Sequence, residues 1–250
     1  VSAWVRPLWV SPPPDWERRL QACLDRAASS RAEVCFRADD AAAGGAKFQR
    51  MLDVFASWEF PLDLAVVPAW LTRPRAATLL LAARSELFSL HQHGYRHANH
   101  EPEGKQCEFG PSRPAGAKRR DLARGKKRLE ELLGDRFRPV FTPPWNRVDA
   151  ETLGILKELG FEAVSRYEGD GPEPPPGLAR RDVNVDLHTR KQAPEAALAG
   201  LLDELESALA SERAGIMLHH QTMNEPAFDF LDRLLHGLSR LEGIRAVSMA

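Results

Sequence analysis

The stretch Glu33-Val34-Cys35-Phe36-Arg37-Ala38-Asp39-Asp40 decides how the rest of the chain is read. Its first six residues read as a strand, and the strand ends on two adjacent acids. Two carboxylates at one strand end repel each other, so a purely structural role is awkward. The plain alternative is a capping pair at a strand-to-helix turn. A metal ion that takes one carboxylate and leaves the other as a base resolves the repulsion.

A source of further ligands lies downstream, in Leu90-His91-Gln92-His93-Gly94-Tyr95-Arg96-His97-Ala98-Asn99-His100. This segment carries four of the chain's eight histidines. Imidazole is the commonest protein ligand for zinc and similar ions. If His93 and His97 lie on a helical turn, both rings share one face. Two histidines at this spacing in an irregular loop would otherwise be surface residues. His91 either points inward or orients a ligand, and His100 either touches substrate or is exposed.

Working outward, strands and helices alternate. Apolar spacing predicts helices over 15–28, 47–58, 74–84, 115–133, 150–159, 194–209 and 226–238. Strands are expected at 32–38, 62–67, 87–90, 139–142, 161–165, 183–187, 215–219 and 244–248. Residues 101–114 form a long loop, and loops of that length inside a compact domain are often functional. Residues 168–177 form a second loop, rich in Gly and Pro. Alternation argues a parallel sheet with crossover helices. The residues able to carry chemistry fall at C-terminal strand ends: Asp39-Asp40, His91 to His93, Trp145, Asp186 to His188, and His219-His220. A β/α barrel gathers such ends on one face. The expectation is α/β, an irregular (β/α) barrel of about seven parallel strands. It is taken as a single domain over 1–250, with 1–31 as an N-terminal extension bearing a helix and 32–249 as the barrel.

Composition bounds the function. The chain has 250 residues, 43% hydrophobic and 28% charged, enough for one domain with a sizeable core. Thirty-four basic residues against 35 acidic ones leave no strong field of either sign, which argues against nucleic acid or an anionic membrane as partner. Three cysteines do not make a disulfide framework; Cys35 reads as a buried strand residue, and Cys107 sits in a loop near the histidines. No apolar run is long enough for a membrane span. The first ten residues lack the basic lead and apolar core of a signal peptide. A cytoplasmic location is therefore the default expectation, although a chain that does not begin with Met can have lost a piece.

Four segments in this order resemble the motifs of the polysaccharide deacetylase family, the NodB-homology carbohydrate esterases. Asp39-Asp40 is similar to the first motif, and His93-xxx-His97 to the second, with Gly94 in place of a small hydroxyl residue. Phe141-Thr142-Pro143-Pro144-Trp145 is similar to the third. Ile216-Met217-Leu218-His219 is similar to the last. The ordered set covers roughly residues 32 to 249 and is more specific than any one member. The resemblance implies a distorted barrel with fewer than eight regular strands. It assigns Asp39 as general base, Asp40, His93 and His97 as metal ligands, and His219 as general acid. Asp186-Leu187 resembles a further motif, an Asp-Trp pair after a strand, with Leu187 where Trp is expected; Asp186 could pair with His219 and keep it a competent acid. Trp145 and Pro144 offer a rigid apolar wall on which sugar rings stack, and a Trp packed at a barrel rim is the alternative. His100 and His220 are candidate substrate contacts, although His220 stands where the family often has Asp. The pattern departs at Thr142, where the family usually has an arginine that steadies the catalytic acid; Arg37 and Arg147 are the candidate replacements.

The resulting expectation is a metal-dependent hydrolase of C–N amide bonds, acting on an N-acetylated sugar or glycan precursor. Two imidazoles and one carboxylate favour Zn2+, with Co2+, Ni2+ or Fe2+ able to occupy such a site. Two alternatives stand beside it: an amidase of a small non-glycan amide, and a non-catalytic, metal-stabilised binding module with the same barrel.

Overall fold

The structure, a computed structural model, describes residues 5–42 and 44–249. Nine strands occur among them: β1 Glu33–Ala41, β2 Leu62–Val66, β3 Phe88–His93, β4 Phe137–Thr142, β5 Ala163–Val164, β6 Ala179–Arg180, β7 Val185–Asp186, β8 Arg213–Leu218 and β9 Arg245–Ala246. The helices are α1 Pro7–Val10, α2 Trp16–Arg26, α3 Ala46–Ser57, α4 Arg73–Ala82, α5 Ala115–Leu133, α6 Ala150–Glu158, α7 Pro194–Ala210 and α8 Glu225–Ser239. The order is that of the sequence pattern, and α5 has the expected bounds. The pattern did not anticipate α1 or the two-residue β6, which are too short to carry a periodic signal. The small residues of 41–45 also read as a turn in the sequence; Ala41 instead ends β1, and residue 43 lies outside the described residues.

The chain groups into two compact units that interleave in sequence: residues 5–38, 45–62 and 184–248, and residues 39–42, 44, 63–183 and 249. In the first unit the strand order is β9-β1-β8-β7, all parallel. Register runs from Glu33 beside Arg213 to Ala38 beside Leu218. Val34, Cys35 and Phe36 are fully buried, as parallel strands covered by helices require. Phe36 meets the edges of Phe55 on α3 and of Phe60, with ring centroids 5.1 and 5.8 Å apart. On α8 a side chain at Gly237 would strike Leu24 of α2, so this glycine is a packing residue. Trp9 of α1 donates its indole N–H to the Leu187 carbonyl and packs against Phe230.

In the second unit the order is β2-β3-β4-β5-β6. Both β3 and β5 pair with β4 in parallel, and the β3–β4 register slips between His91 and Gln92 before setting His93 beside Thr142. Phe109, Phe141 and Phe161 form an edge-to-face series behind these strands. Lys118 of α5 is buried, with its ammonium 2.6 Å from both Asp149 and Glu151. Asp149 also accepts from the Thr152 N–H and so caps α6. The basic-then-acidic helix α5 therefore presents a mostly solvated face but uses one lysine internally.

Candidate metal centre

Three of the expected ligands come together in the second unit. Asp40 stands at the end of β1 and His93 at the end of β3, and His97 lies four residues beyond. Asp40 Oδ1 is 3.4 Å from His93 Nε2 and 3.4 Å from His97 Nε2. One donor atom from each of the three residues falls within 4.8 Å of the others. Two ligand atoms bound tetrahedrally to one zinc stand roughly 3.3 Å apart, from bonds of about 2.0 Å. The donor set and its spacing thus fit a divalent ion.

The supporting contacts fit as well. His93 Nδ1 lies 3.0 Å from the Thr142 main-chain oxygen. A backbone carbonyl can only accept, so Nδ1 carries the proton and Nε2 keeps its lone pair toward Asp40. Thr142 Oγ1 is in turn 2.9 Å from His91 Nε2. Thr142, the residue that departs from the resembling motif, is thus committed to both histidines of β3. Burial, and then the neighbouring His93, hold the His97 imidazole below its ordinary pKa. That favours the neutral ring a ligand must present.

The segment from Gly94 to His97 is not a helical turn, contrary to the expectation. His91, Gln92 and His93 belong to β3 itself, and the chain then turns through left-handed backbone at Gly94 (φ 54°) and His97 (φ 57°). Asp40 (φ 61°), Trp145 (φ 56°) and Asn146 (φ 61°) share this uncommon conformation. Five non-glycine residues among those described have positive φ, and four of them lie in these segments. The turn is held by Glu108, a fully buried acid from the 101–114 loop. Its Oε1 accepts from the Arg96 N–H at 2.7 Å, and its Oε2 from the Tyr95 and His97 N–H groups at 3.2 Å each. Burial pushes the Glu108 carboxyl above its ordinary pKa, and these N–H groups pull it down.

Around the three candidate ligands, His97 sits between two half-buried indoles. Its ring centroid is 4.5 Å from that of Trp145 and 5.8 Å from that of Trp70. Pro144 is buried and crowds Gly94, where an added Cβ would meet Pro144 Cγ at 2.5 Å. It therefore acts as packing beneath the turn. His100 is exposed, and its backbone N–H bonds to the Cys107 carbonyl. Of the two candidate arginines, Arg147 donates outward to the Gln106 carbonyl, and Arg37 is fully buried with a contact to Met217 Sδ. Cys107 gives its thiol to the Arg147 carbonyl and is outside the three-residue cluster.

The remaining expected residues lie in the first unit. The expected Asp186–His219 pair is not formed. Asp186 accepts from the His188 and Thr189 N–H groups and from the Thr189 hydroxyl, closing a turn after β7. Such local bonds are what a short Asp side chain makes most readily. Beside His219 stands His188 instead: its Nδ1 accepts the His219 backbone N–H at 3.2 Å. His188 is buried, and burial followed by the two neighbouring histidines lowers its pKa to about 3. His219 Nδ1 is buried and has no hydrogen-bond partner among the described residues. His220 is buried with its ring against the edge of Phe48 at 5.3 Å.

Sequence reasoning missed Glu108, Trp70 and the positioning contact of His188. A weak signal existed for Glu108, an acid flanked by Cys107 and Phe109 inside an otherwise polar loop. Trp70 carried none, because a Trp in a short connector reads as ordinary packing.

No protein-family profile matches the chain, and no curated protein matches its sequence. Solved structures do match. A candidate polysaccharide deacetylase from Mycobacterium smegmatis superposes over 88% of each chain with a TM-score of 0.68 at 16% identity. A family 4 carbohydrate esterase from Streptomyces lividans, solved with acetate, matches 88% of this chain and 94% of its own, with a TM-score of 0.56 at 12% identity. A pseudoenzyme of that esterase family from Bacillus anthracis covers 88% of this chain and 64% of its own, with a TM-score of 0.57 at 13% identity. The fold is that of the polysaccharide deacetylases, an α/β fold of parallel strands with flanking helices, as the ordered motifs implied.

Proposed function

We propose that the protein is a metal-dependent deacetylase that hydrolyses the amide of an N-acetylated sugar or glycan precursor. The observation that carries this reading is the convergence of His93 Nε2 and His97 Nε2 on one oxygen of Asp40, each at 3.4 Å, with Asp39 next in the chain. Likeness of fold to a family 4 carbohydrate esterase and to a candidate polysaccharide deacetylase supports the substrate class.

Asp40, His93 and His97 would hold the ion, and zinc suits two imidazoles with one carboxylate. A bound divalent ion lowers the pKa of water toward roughly 7 and polarises a carbonyl. Asp39, buried beside the ligand Asp40, takes the proton of the attacking water. By the motif that it matches, His219 is assigned as the acid for the leaving amine, a role worth about 10²–10⁴-fold for a well-placed acid. His188 holds the His219 backbone and leaves the imidazole of His219 uncommitted at Nδ1. Trp145 and Trp70 supply flat apolar faces beside His97 on which the C–H face of a sugar ring rests.

A second reading, a metal-stabilised binding module without turnover, is favoured by two observations. The position of the family's arginine is Thr142, whose side chain is engaged with His91, and one protein of like fold is a pseudoenzyme. Elemental analysis of the purified protein and of His97→Ala, followed by assay of acetate release from N-acetylglucosamine oligomers and from small acetamides, tests both. About one ion per chain, lost in the variant, with metal-dependent acetate release, establishes the deacetylase. Metal retention with no release from any amide moves the binding module ahead, and no metal after reloading rejects the ligand set.

A further inference from the structure

The contact between Glu108 and the turn that carries His97 has a purpose beyond packing. Glu108 is fully buried, yet it stands in a loop of Gly, Pro and charged residues. Both of its carboxyl oxygens face main-chain N–H groups, three in all, on consecutive residues Tyr95, Arg96 and His97. Those N–H groups line a turn whose two ends, Gly94 and His97, have left-handed backbone. A non-glycine residue rarely holds that conformation without outside support. Consecutive N–H groups in such a turn make a concave anion-binding surface. Glu108 fills it from within the protein. Gly94 is required by the same contact, since a Cβ there would come within 2.2 Å of Glu108 Oε2. The loop is tied down in turn: Arg113 donates to the Glu108 main-chain oxygen and pairs with Asp121 of α5.

We infer that Glu108 is the positioning residue of the metal centre: its carboxyl clamps the 95–97 backbone and thereby sets the His97 imidazole against Asp40. The inference rests on the metal-site reading for its purpose, and on the hydrogen bonds alone for its mechanism. Partners of this kind behind a ligand typically change metal affinity by about 10–100-fold when removed.

The experiment is zinc affinity, measured by competition with a chromophoric chelator, in the full chain and in Glu108→Ala, Glu108→Gln and Leu153→Ala. Glu108→Gln keeps the shape but turns an amide N–H toward main-chain donors, so it tests the contact in a variant of unchanged volume. Leu153→Ala removes a buried leucine of α6 outside the turn and serves as a control for lost stability. We expect both Glu108 variants to bind zinc about 10–100-fold more weakly, and the leucine variant to bind within about twofold of the parent. Parent-like affinity in the Glu108 variants, or an equal loss in Leu153→Ala, overturns the inference. Amide hydrogen exchange of residues 95–97 without metal separates this from the metal reading. At least about tenfold faster exchange in Glu108→Ala supports the clamp even if the parent takes up no zinc; unchanged protection overturns it whatever the zinc result.

Discussion

His93 and Thr142 are joined across β3 and β4 by a ring nitrogen 3.0 Å from a main-chain oxygen. The bond uses the backbone of Thr142, so the side chain at that position is free to vary without disturbing the His93 tautomer. Thr142→Val should therefore leave zinc affinity within about threefold of the parent. Its cost falls on His91, which loses its hydroxyl partner in a buried setting, and unfolding in urea should show a loss of roughly 1–3 kcal/mol. A large fall in zinc affinity would mean that the hydroxyl, rather than the carbonyl, orients the site.

The adjacent acids at the end of β1 should separate cleanly in function. Asp39→Asn is expected to keep about one zinc per chain and to lose at least ~100-fold in kcat for acetate release. Asp40→Asn should lose the metal itself. Elemental analysis beside steady-state kinetics distinguishes them, and a fully active Asp39→Asn would remove Asp39 from the base role.

Gly94 has no room for a side chain. Its φ is 54°, and a Cβ would meet Glu108 Oε2 at 2.2 Å and Pro144 Cγ at 2.5 Å. Gly94→Ala should destabilise the protein by about 2 kcal/mol or more, combining left-handed strain with overpacking. Denaturant unfolding measures this. A neutral substitution would show that the turn is free to rearrange.

Stability should fall as the solution is acidified, through His188. Its folded pKa of about 3 lies below the ordinary value of 6.5, because burial and two neighbouring histidines disfavour the charged ring. The unfolded chain therefore takes up a proton below pH 6.5 that the folded chain refuses until about pH 3. The stabilisation is complete above the unfolded value and is lost progressively as pH falls toward the folded one, amounting to about 2 kcal/mol between pH 7 and pH 5. His188→Asn keeps an acceptor for the His219 N–H and removes the titration, so its unfolding free energy should depend less steeply on pH over that interval. An unchanged slope would assign the acid sensitivity to other groups.

The alternation of strands and helices was legible because helix faces such as Phe48, Met51, Leu52 and Phe55 repeat at helical spacing and are buried together. Chemistry at strand ends was legible because Asp39-Asp40, His93 and His219 each close an apolar run. Short elements were not: α1 and β6 have too few residues to show a period, and their conformation follows from neighbours distant in sequence. Asp186 misled for a related reason. Its spacing after a strand suggested a partner across the fold, but its local N–H and hydroxyl donors were nearer.

By itself, the sequence determined the order of elements, the parallel α/β class and the three ligand types, because periodicity and strand-end polarity are local properties of the chain. Only the tertiary structure decided how the candidate ligands meet. His93 is aimed by a carbonyl 49 residues away, and His97 by a buried acid 11 residues away whose loop has no regular period. Hydrogen-bond partners of this kind depend on which backbone groups folding leaves unpaired, and no local pattern records that choice.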